Sequence, residues 1–523
     1  MNNIAFRFLR NAFFIHSKAQ IMLNIQKKLA NPFLALLALP ATAVGFALST
    51  QIAALSWILS KKYGLDIHEV SFVWLAGPIA GIFGQVIVGL ISDNVWFMGG
   101  RRRPFIMIGG LISTFAFLAL PYIQEISKIT GIGDIVIIAS LIALFLDLSI
   151  NVTFNPARSI IADLTPEGKV RTAGFVWMQI VSGFFGVFAY FLSMVFGNET
   201  LLFIASGLVF LTAVFPILFI EEKKELNADL KTESNDEKFG IWQIFKEIFP
   251  LYGFLVFGVF SVFHHFFESL TAFHNPVLIA ALLYSVIIGI ISIVKGIKKQ
   301  SNRNEFHKIM LAHSFTWVAF QSMFIMSGFF IEKQILPNMN ISQITANWFA
   351  ESLTGVAQTA DSSIGNIVSL GFLILNFVGA IFPLILQAIS KKIGRVRTYV
   401  LALGFTVIGY FYVAFLGTVE YDFYLGMFLA GIGWSAVISI VFAIMSERVN
   451  PAKMGLYMGV FNLAVVLPQM MSNGVANVIK ETGNYQLLYI LCGVFVAISL
   501  IFWIFVREPA SSTLTDSMPS AGH

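Results

Sequence analysis

The chain has 523 residues, 57% of them hydrophobic and 12% charged, with a mean hydropathy of +0.81. That composition excludes an ordinary water-soluble domain and points to a polytopic membrane protein whose long apolar runs suit helices rather than a barrel. The net charge of +5 fits basic loops on the cytoplasmic side better than a nucleic-acid surface, and a single Cys492 excludes a disulfide framework or cysteine metal site.

In chain order, residues 1–32 are expected to form a cytoplasmic N-terminal arm, basic and without the pattern of a cleavable signal. Strong apolar spans follow at about 33–60, 71–92, 104–122, 134–162, 173–196 and 200–220. A charged stretch at 221–247 reads as a solvated cytoplasmic linker. Beyond it come two further runs at about 248–267 and 275–296. Six more spans lie at 309–330, 364–389, 398–417, 422–445, 456–479 and 485–506, and a tail at 509–523 closes the chain. The expectation is fourteen transmembrane helices: a six-helix bundle at 33–220, an extra hairpin at 248–297 and a second six-helix bundle at 307–508.

Charge gives the orientation. With the N-terminus in the cytoplasm, 27 of the 33 Lys and Arg fall in cytoplasmic segments; Lys61, Lys62, Lys128, Lys333 and Lys480 lie outside and Arg158 lies within a helix. Both termini are therefore placed in the cytoplasm. The halves also echo each other. Gly89-Leu-Ile-Ser-Asp93 and Gly99-Gly100-Arg101-Arg102-Arg103 join the second and third spans, and Lys391-Lys392-Ile-Gly394-Arg395 occupies the matching junction of the second half. Thr165-Pro166-Glu167-Gly168-Lys169 is likewise matched by Asn450-Pro451-Ala452-Lys453. Repeated six-helix units are the mark of a rocking-bundle transporter with its site at the midplane.

The most informative stretch is Asp147 to Asp163 in the fourth span. An Asp at mid-helix costs about 2.5 to 3.5 kcal/mol on insertion scales, so it rarely faces lipid. At about 100° per residue, Asn151, Asn155 and Arg158 lie about 40°, 80° and 20° from Asp147, giving a polar stripe roughly 16 Å long. Such a stripe lines a helix interface or a water-filled path, and Asp147 is the only acid deep inside any of the twelve core spans.

The loop G-x-x-x-D…G-G-R-R-R resembles the cytoplasmic signature of the major facilitator superfamily. Gly89, Asp93, Gly100, Arg101, Arg102 and Arg103 within it, with Asp163 at the end of the fourth span and Gly394 and Arg395 of the second half, are the expected cytoplasmic gate. The motif D-x-x-x-N-x-x-x-N-P-x-R from Asp147 to Arg158 resembles the fourth helix of the sucrose–proton symporter family and its glycoside–pentoside–hexuronide-like bacterial relatives. Val73-Trp74-Leu75-Ala76-Gly77-Pro78 and Gly455-Leu-Tyr-Met-Gly459-Val-Phe-Asn462 resemble that family's second and eleventh helices. The likeness covers roughly 33–220 and 307–508, and neither the arm nor the hairpin.

The resemblance implies proton-coupled import of a sucrose- or maltose-like disaccharide or glycoside by alternating access. It implies proton coupling through Asp147 and Arg158. The chain departs from the plant symporters in the seventh span, which carries no buried acid, so the N-terminal half is expected to do most of the coupling. Amides and aromatic faces suit a sugar. The expected substrate ligands are Asn151, Asn155, Gln51, Gln179, Trp317, Gln321, Asn376, Asn462 and Gln469.

His264, His265, Glu268 and His274 have metal-ligand chemistry but no standard spacing, and are read as interfacial caps of the hairpin turn. His68 lies within about one position of a family histidine near the substrate entrance. No metal and no cofactor are expected, the proton being the coupling ion. The reading is of a transporter rather than an enzyme, acting as a monomer on a sugar within a plasma (bacterial inner) membrane, with no nucleic-acid partner. Alternatives are a superfamily transporter of a non-sugar organic solute, by efflux or other cation coupling, and a sensor without flux.

Overall fold

A computed structural model describes residues 26, 31–82, 84, 91, 95–166, 169–222, 241–298, 301–449 and 454–508. Most of the N-terminal arm, Gly89 and Asp93 of the expected gate, residues 223–240 of the linker and the tail at 509–523 lie outside these residues. Apart from a bridge between Phe97 and Gly100, the regular structure described is helical.

In the first half these are α1 (Asn31–Trp57), α2 (Ile67–Val73), α3 (Arg103–Ala119), α4 (Ile123–Thr130), α5 (Ile135–Leu164), α6 (Lys169–Phe196) and α7 (Asn198–Val209). The middle holds α8 (Ile241–Glu247), α9 (Tyr252–Phe266) and α10 (His274–Lys298). The second half holds α11 (Asn302–Phe330), α12 (Thr345–Thr354), α13 (Ala360–Ile393), α14 (Arg395–Leu416), α15 (Glu420–Ser446), α16 (Met454–Gln469), α17 (Ser472–Thr482) and α18 (Leu487–Ile504).

Among the described residues, 12 helices are long and apolar enough to cross a membrane. The runs expected at 71–92 and 456–479 are outside that set. The first continues α2 as a short apolar helix to Ile82, where description becomes patchy. The second is divided into α16 and α17 by a turn at Met470 and Met471, just after Pro468. Proline removes a backbone donor and crowds the preceding turn, which favours a break there.

Packing follows from where the small and the large residues lie. In the first half α1 lies along α6 and α3 along α5; in the second, α15 packs on α13 and α14, and α18 on α11 and α14. The halves meet through α6 against α13 and α2 against α17. The pair α9–α10 rests on α11, α16 and α17. Helix α11 is buried nearly all round, from Glu305 to Phe330, as its even spread of apolar residues requires at the centre of a bundle. Phe115, Ile297, Leu384 and Phe415 are exposed on outer faces, where lipid would cover them.

Glycines let some of these axes approach closely. A Cβ on Gly409 of α14 would sit 2.8 Å from the Gly426 carbonyl oxygen of α15 and 2.9 Å from Leu429 Cβ. Backbone cannot swing aside, so Gly409→Ala is expected to destabilise by about 1–3 kcal/mol. Gly207→Ala, at a position with no atom within 4 Å of the new Cβ, is the control and should leave thermal unfolding in detergent unchanged.

Candidate functional site between the halves

Asp147 sits mid-helix in α5 and is only 6% exposed. Its partner is an amide: Gln51 of α1, itself buried, donates from Nε2 to Asp147 Oδ2 at 2.9 Å. Gly77 beyond α2 packs over the carboxyl, where a Cβ would lie in ordinary contact, 3.6 Å from Oδ2. Asn151 turns back one turn to donate to the Asp147 carbonyl at 2.8 Å. Other buried carboxylates sit at helix ends with stronger partners. Glu305 pairs with Lys308 at 2.7 Å, and Glu420 accepts from the Thr345 N–H and the Tyr424 hydroxyl. Asp147 differs in both depth and partner.

Arg158 does not join Asp147 in this conformation. It is exposed, with its guanidinium 3.9 Å over the Phe154 ring, and no ion pair of it is found among the described residues. Asn155 lies in the same helix, but its side chain is outside the described residues. Gln179 of α6 is exposed.

Across the seam, the buried Tyr190 of α6 reaches α13 of the second half. Its ring stands edge-on to Phe372 at 6.1 Å. Trp317 of α11 meets Trp434 of α15 at 5.5 Å, and Phe320 and Phe324 complete an aromatic wall. Gln321 is buried one turn further along α11, while Asn462 and Gln469 are half-buried on α16. No contact described here joins these three to Asp147.

The sequence reading missed His313 and Tyr190. His313 is fully buried, accepts from Trp317 Nε1 at 2.8 Å and stacks on Phe461. An ionisable ring inside an apolar span was a usable signal, four residues before a Trp. Tyr190 gave none, being one aromatic among many. A separate crevice lined by Trp57, Phe324, Phe329 and Ile364 is apolar and holds none of the expected amides.

Polar contacts between the halves gather at the end away from the basic loops. Lys480 binds Asp66 at 2.6 Å, Lys61 pairs with Glu332, Trp57 Nε1 donates to the Asp361 carbonyl at 2.8 Å, and Ser193 meets Ser369 at 2.9 Å. That end is closed.

At the basic end each half is tied within itself. Arg101 Nη2 lies 2.7 Å and Arg102 Nε 3.3 Å from Asp163 Oδ2. Glu222, read as solvated linker, instead accepts from the backbone N–H of Arg101, Arg102 and Arg103 at 2.7 to 3.1 Å. A carboxylate is favoured there because unsatisfied N–H groups and the helix dipole converge on the start of α3. The second half repeats the device. Glu508 accepts from the Arg395 and Val396 N–H groups, both at 2.8 Å, while Glu447 takes the Arg395 guanidinium bidentately. Gly394 has φ +91° and a Cβ there would come within 2.9 Å of Glu508, so glycine is needed on both counts.

The hairpin histidines are not interfacial caps. His264 and His274 are 9% and 1% exposed, and both face His68 beyond the start of α2, because α9 and α10 seat inward. His265 stacks on Phe72 at 3.9 Å.

Two repeated helical halves, tied to each other by polar contacts at one end, with a buried carboxyl inside the first, define the frame. The chain belongs to the Major Facilitator Superfamily, whose profile matches residues 37–335 and 318–520. It is 29% identical over 154 residues to sucrose transport protein SUC4 of Arabidopsis thaliana, covering 28% of this chain and 29% of that protein. It is 27% identical over 195 residues to the general alpha-glucoside permease of Schizosaccharomyces pombe, covering 32% and 35%. Sucrose transport protein SUT4 of Oryza sativa is 32% identical over 162 residues, covering 28% and 27%. The chain thus spans about a third of the length of the curated relatives it matches. Among solved structures, the nucleoside transporter NupG aligns with TM-score 0.56 at 13% identity over 92% of this chain and 100% of that one. A peptide transporter POT in complex with sulfate gives 0.59 at 15% over 90% and 93%. At those identities the likeness is one of fold.

Removing Glu222 or Glu508 as Ala is expected to lower stability by about 1–2 kcal/mol, the cost of an uncapped helix start, read by thermal unfolding. Arg395 holds Glu447 below its ordinary value of 4.5. A carboxyl depressed in the folded state adds stability above its unfolded value and loses it as pH falls. Between about pH 6 and about pH 4 the melting temperature should therefore drop more for the wild type than for Glu447→Gln.

Proposed function

We propose that this chain is a proton-coupled importer of a disaccharide or glycoside of sucrose or maltose type, and not an enzyme. It works by alternating access in a plasma membrane of bacterial type. It has fourteen membrane helices: two six-helix bundles, at 33–220 and 307–508, and the extra pair at 248–297 joined through the 221–247 linker. Both termini lie in the cytoplasm, so the basic end is internal and the closed Lys61 end external. The chain acts as a monomer.

The observation that carries the reading is Asp147, a buried carboxyl whose described side-chain partner is the neutral Gln51. An amide donor suits either protonation state of the acid, so the bond does not fix the charge. With Oδ2 occupied by Gln51, Oδ1 is the natural seat of the proton. In the externally closed conformer, water reaching the carboxyl from the cytoplasm would solvate its anion and release that proton. Arg158, about 16 Å along the same helix, would favour the anion only in a conformer that brings the two together. One proton crossing about 100 mV supplies roughly 2.3 kcal/mol, enough for roughly forty-fold accumulation of a neutral solute. Local likeness to sucrose and α-glucoside transporters supports a sugar, and the Trp317–Trp434 wall offers it an apolar face.

The test is purified protein in liposomes under an imposed pH gradient, with sucrose, maltose, glucose and a non-sugar control. Asp147→Asn keeps an oxygen for Gln51 and should fold; it is expected to lose proton-driven accumulation while retaining sugar exchange. Trp317→Ala is expected to raise KM about ten-fold or more with a smaller change in kcat, as for loss of an aromatic ligand contact. Unchanged proton dependence in Asp147→Asn rejects the coupling role, and no sugar accumulation under any gradient rejects the substrate class.

A further inference from the structure

We propose that His68, His264 and His274 form a binding site for a divalent transition-metal ion of the zinc class, and that the bound ion clamps the external end shut. One ring nitrogen from each histidine lies within 4.8 Å of the others. A tetrahedral ion with bonds of about 2.0–2.1 Å spaces its ligands by roughly 3.3 Å, so small ring rotations close the site. The rings are ready to rotate: His68 Nε2, both nitrogens of His264 and His274 Nδ1 are buried and make no hydrogen bond. Each of the three rings thus has a buried nitrogen with no hydrogen bond, and one nitrogen from each lies within reach of a common ion.

The tautomer of His274 is set by its neighbours. Asn473 donates its amide Nδ2 to Ser71 Oγ at 3.0 Å, which turns its Oδ1 toward His274 Nε2 at 3.3 Å. An oxygen acceptor requires Nε2 to carry the proton, so Nδ1 presents its lone pair to the site. A hydrogen bond on the far nitrogen is how proteins orient imidazole ligands. Phe257 and Phe260 wall the cluster, strengthening coordination by excluding water. Three neutral imidazoles without thiolate suit zinc, copper or nickel rather than calcium or magnesium. The way in is short, since half-exposed Asp66 precedes His68 by two residues.

The three ligands come from parts that must separate for the outside to open. His68 belongs to the first half, whereas His264 and His274 belong to the α9–α10 pair seated on α11, α16 and α17 of the second. An ion bound by all three bridges the moving parts beside the Asp66–Lys480 contact. The ion's effect on flux rests on the transport function proposed above; its binding does not.

Full-length protein stripped with chelator is titrated with zinc chloride, and one equivalent per chain is expected. X-ray absorption fine structure should then give three imidazole nitrogens at about 2.0–2.1 Å. His68→Gln, His264→Gln and His274→Gln should each weaken binding about tenfold or more, and His265→Gln should bind as the wild type does. Zinc should raise the unfolding temperature of the wild type and not of His264→Gln. No saturable equivalent, or fine structure without imidazole, overturns the site on wild-type protein alone, whether or not the variants fold. In liposomes, external micromolar zinc should slow wild-type flux several-fold and leave His68→Gln untouched. Binding without that inhibition overturns the clamp. Zinc binding by a protein that moves no sugar overturns the proposed substrate class and leaves the site standing.

Discussion

A carboxyl group withdrawn from water in the middle of a membrane-length helix is the constraint on which this molecule depends. Asp147 cannot face hydrocarbon at acceptable cost, and among its described contacts no cation neutralises it. It must therefore lie against other helices, and those helices must bring donors without bringing charge. Gln51 supplies the donor, and Gly77 packs over the carboxyl. The same requirement draws α1, α2 and α5 together at mid-depth and leaves the second half to contribute aromatic and amide surface across the seam.

The second governing feature is how each half is held at the basic end. Helix starts leave N–H groups unsatisfied. In both halves a carboxylate from beyond the last helix returns to cover them, Glu222 for α3 and Glu508 for α14. In both, a second acid takes the arginine beside it, Asp163 for Arg101 and Glu447 for Arg395. These ties lie within the halves, whereas the ties at the opposite end cross between them. A molecule joined this way has rigid halves and one adjustable seam.

Much of this was legible in the sequence. Hydropathy placed the apolar runs, and the cost of an intramembrane acid singled out Asp147 before any neighbour was known. The repeated loops revealed two halves. The missed features depend on contacts distant in sequence. Glu222 opens a charged stretch whose composition reads as solvated, and nothing local says that it caps a helix 119 residues earlier. His68 lies about two hundred residues before His264 and His274, and spacing along the chain carried no hint of its meeting them. Gln51 stood among eight equivalent amides; only geometry selects it. Arg158 shares a helical face with Asp147 by angle, yet 11 residues of rise keep the two apart.

The paired carboxylates have a consequence for how the chain can be rearranged. Each half seals its own basic end with a residue that follows its last helix, so neither helix start is capped from the other half. After the cap at Glu222 the chain goes on to α9 and α10, two apolar helices that pack on the second half. A break between Glu222 and α8 would therefore leave both capped helix starts intact.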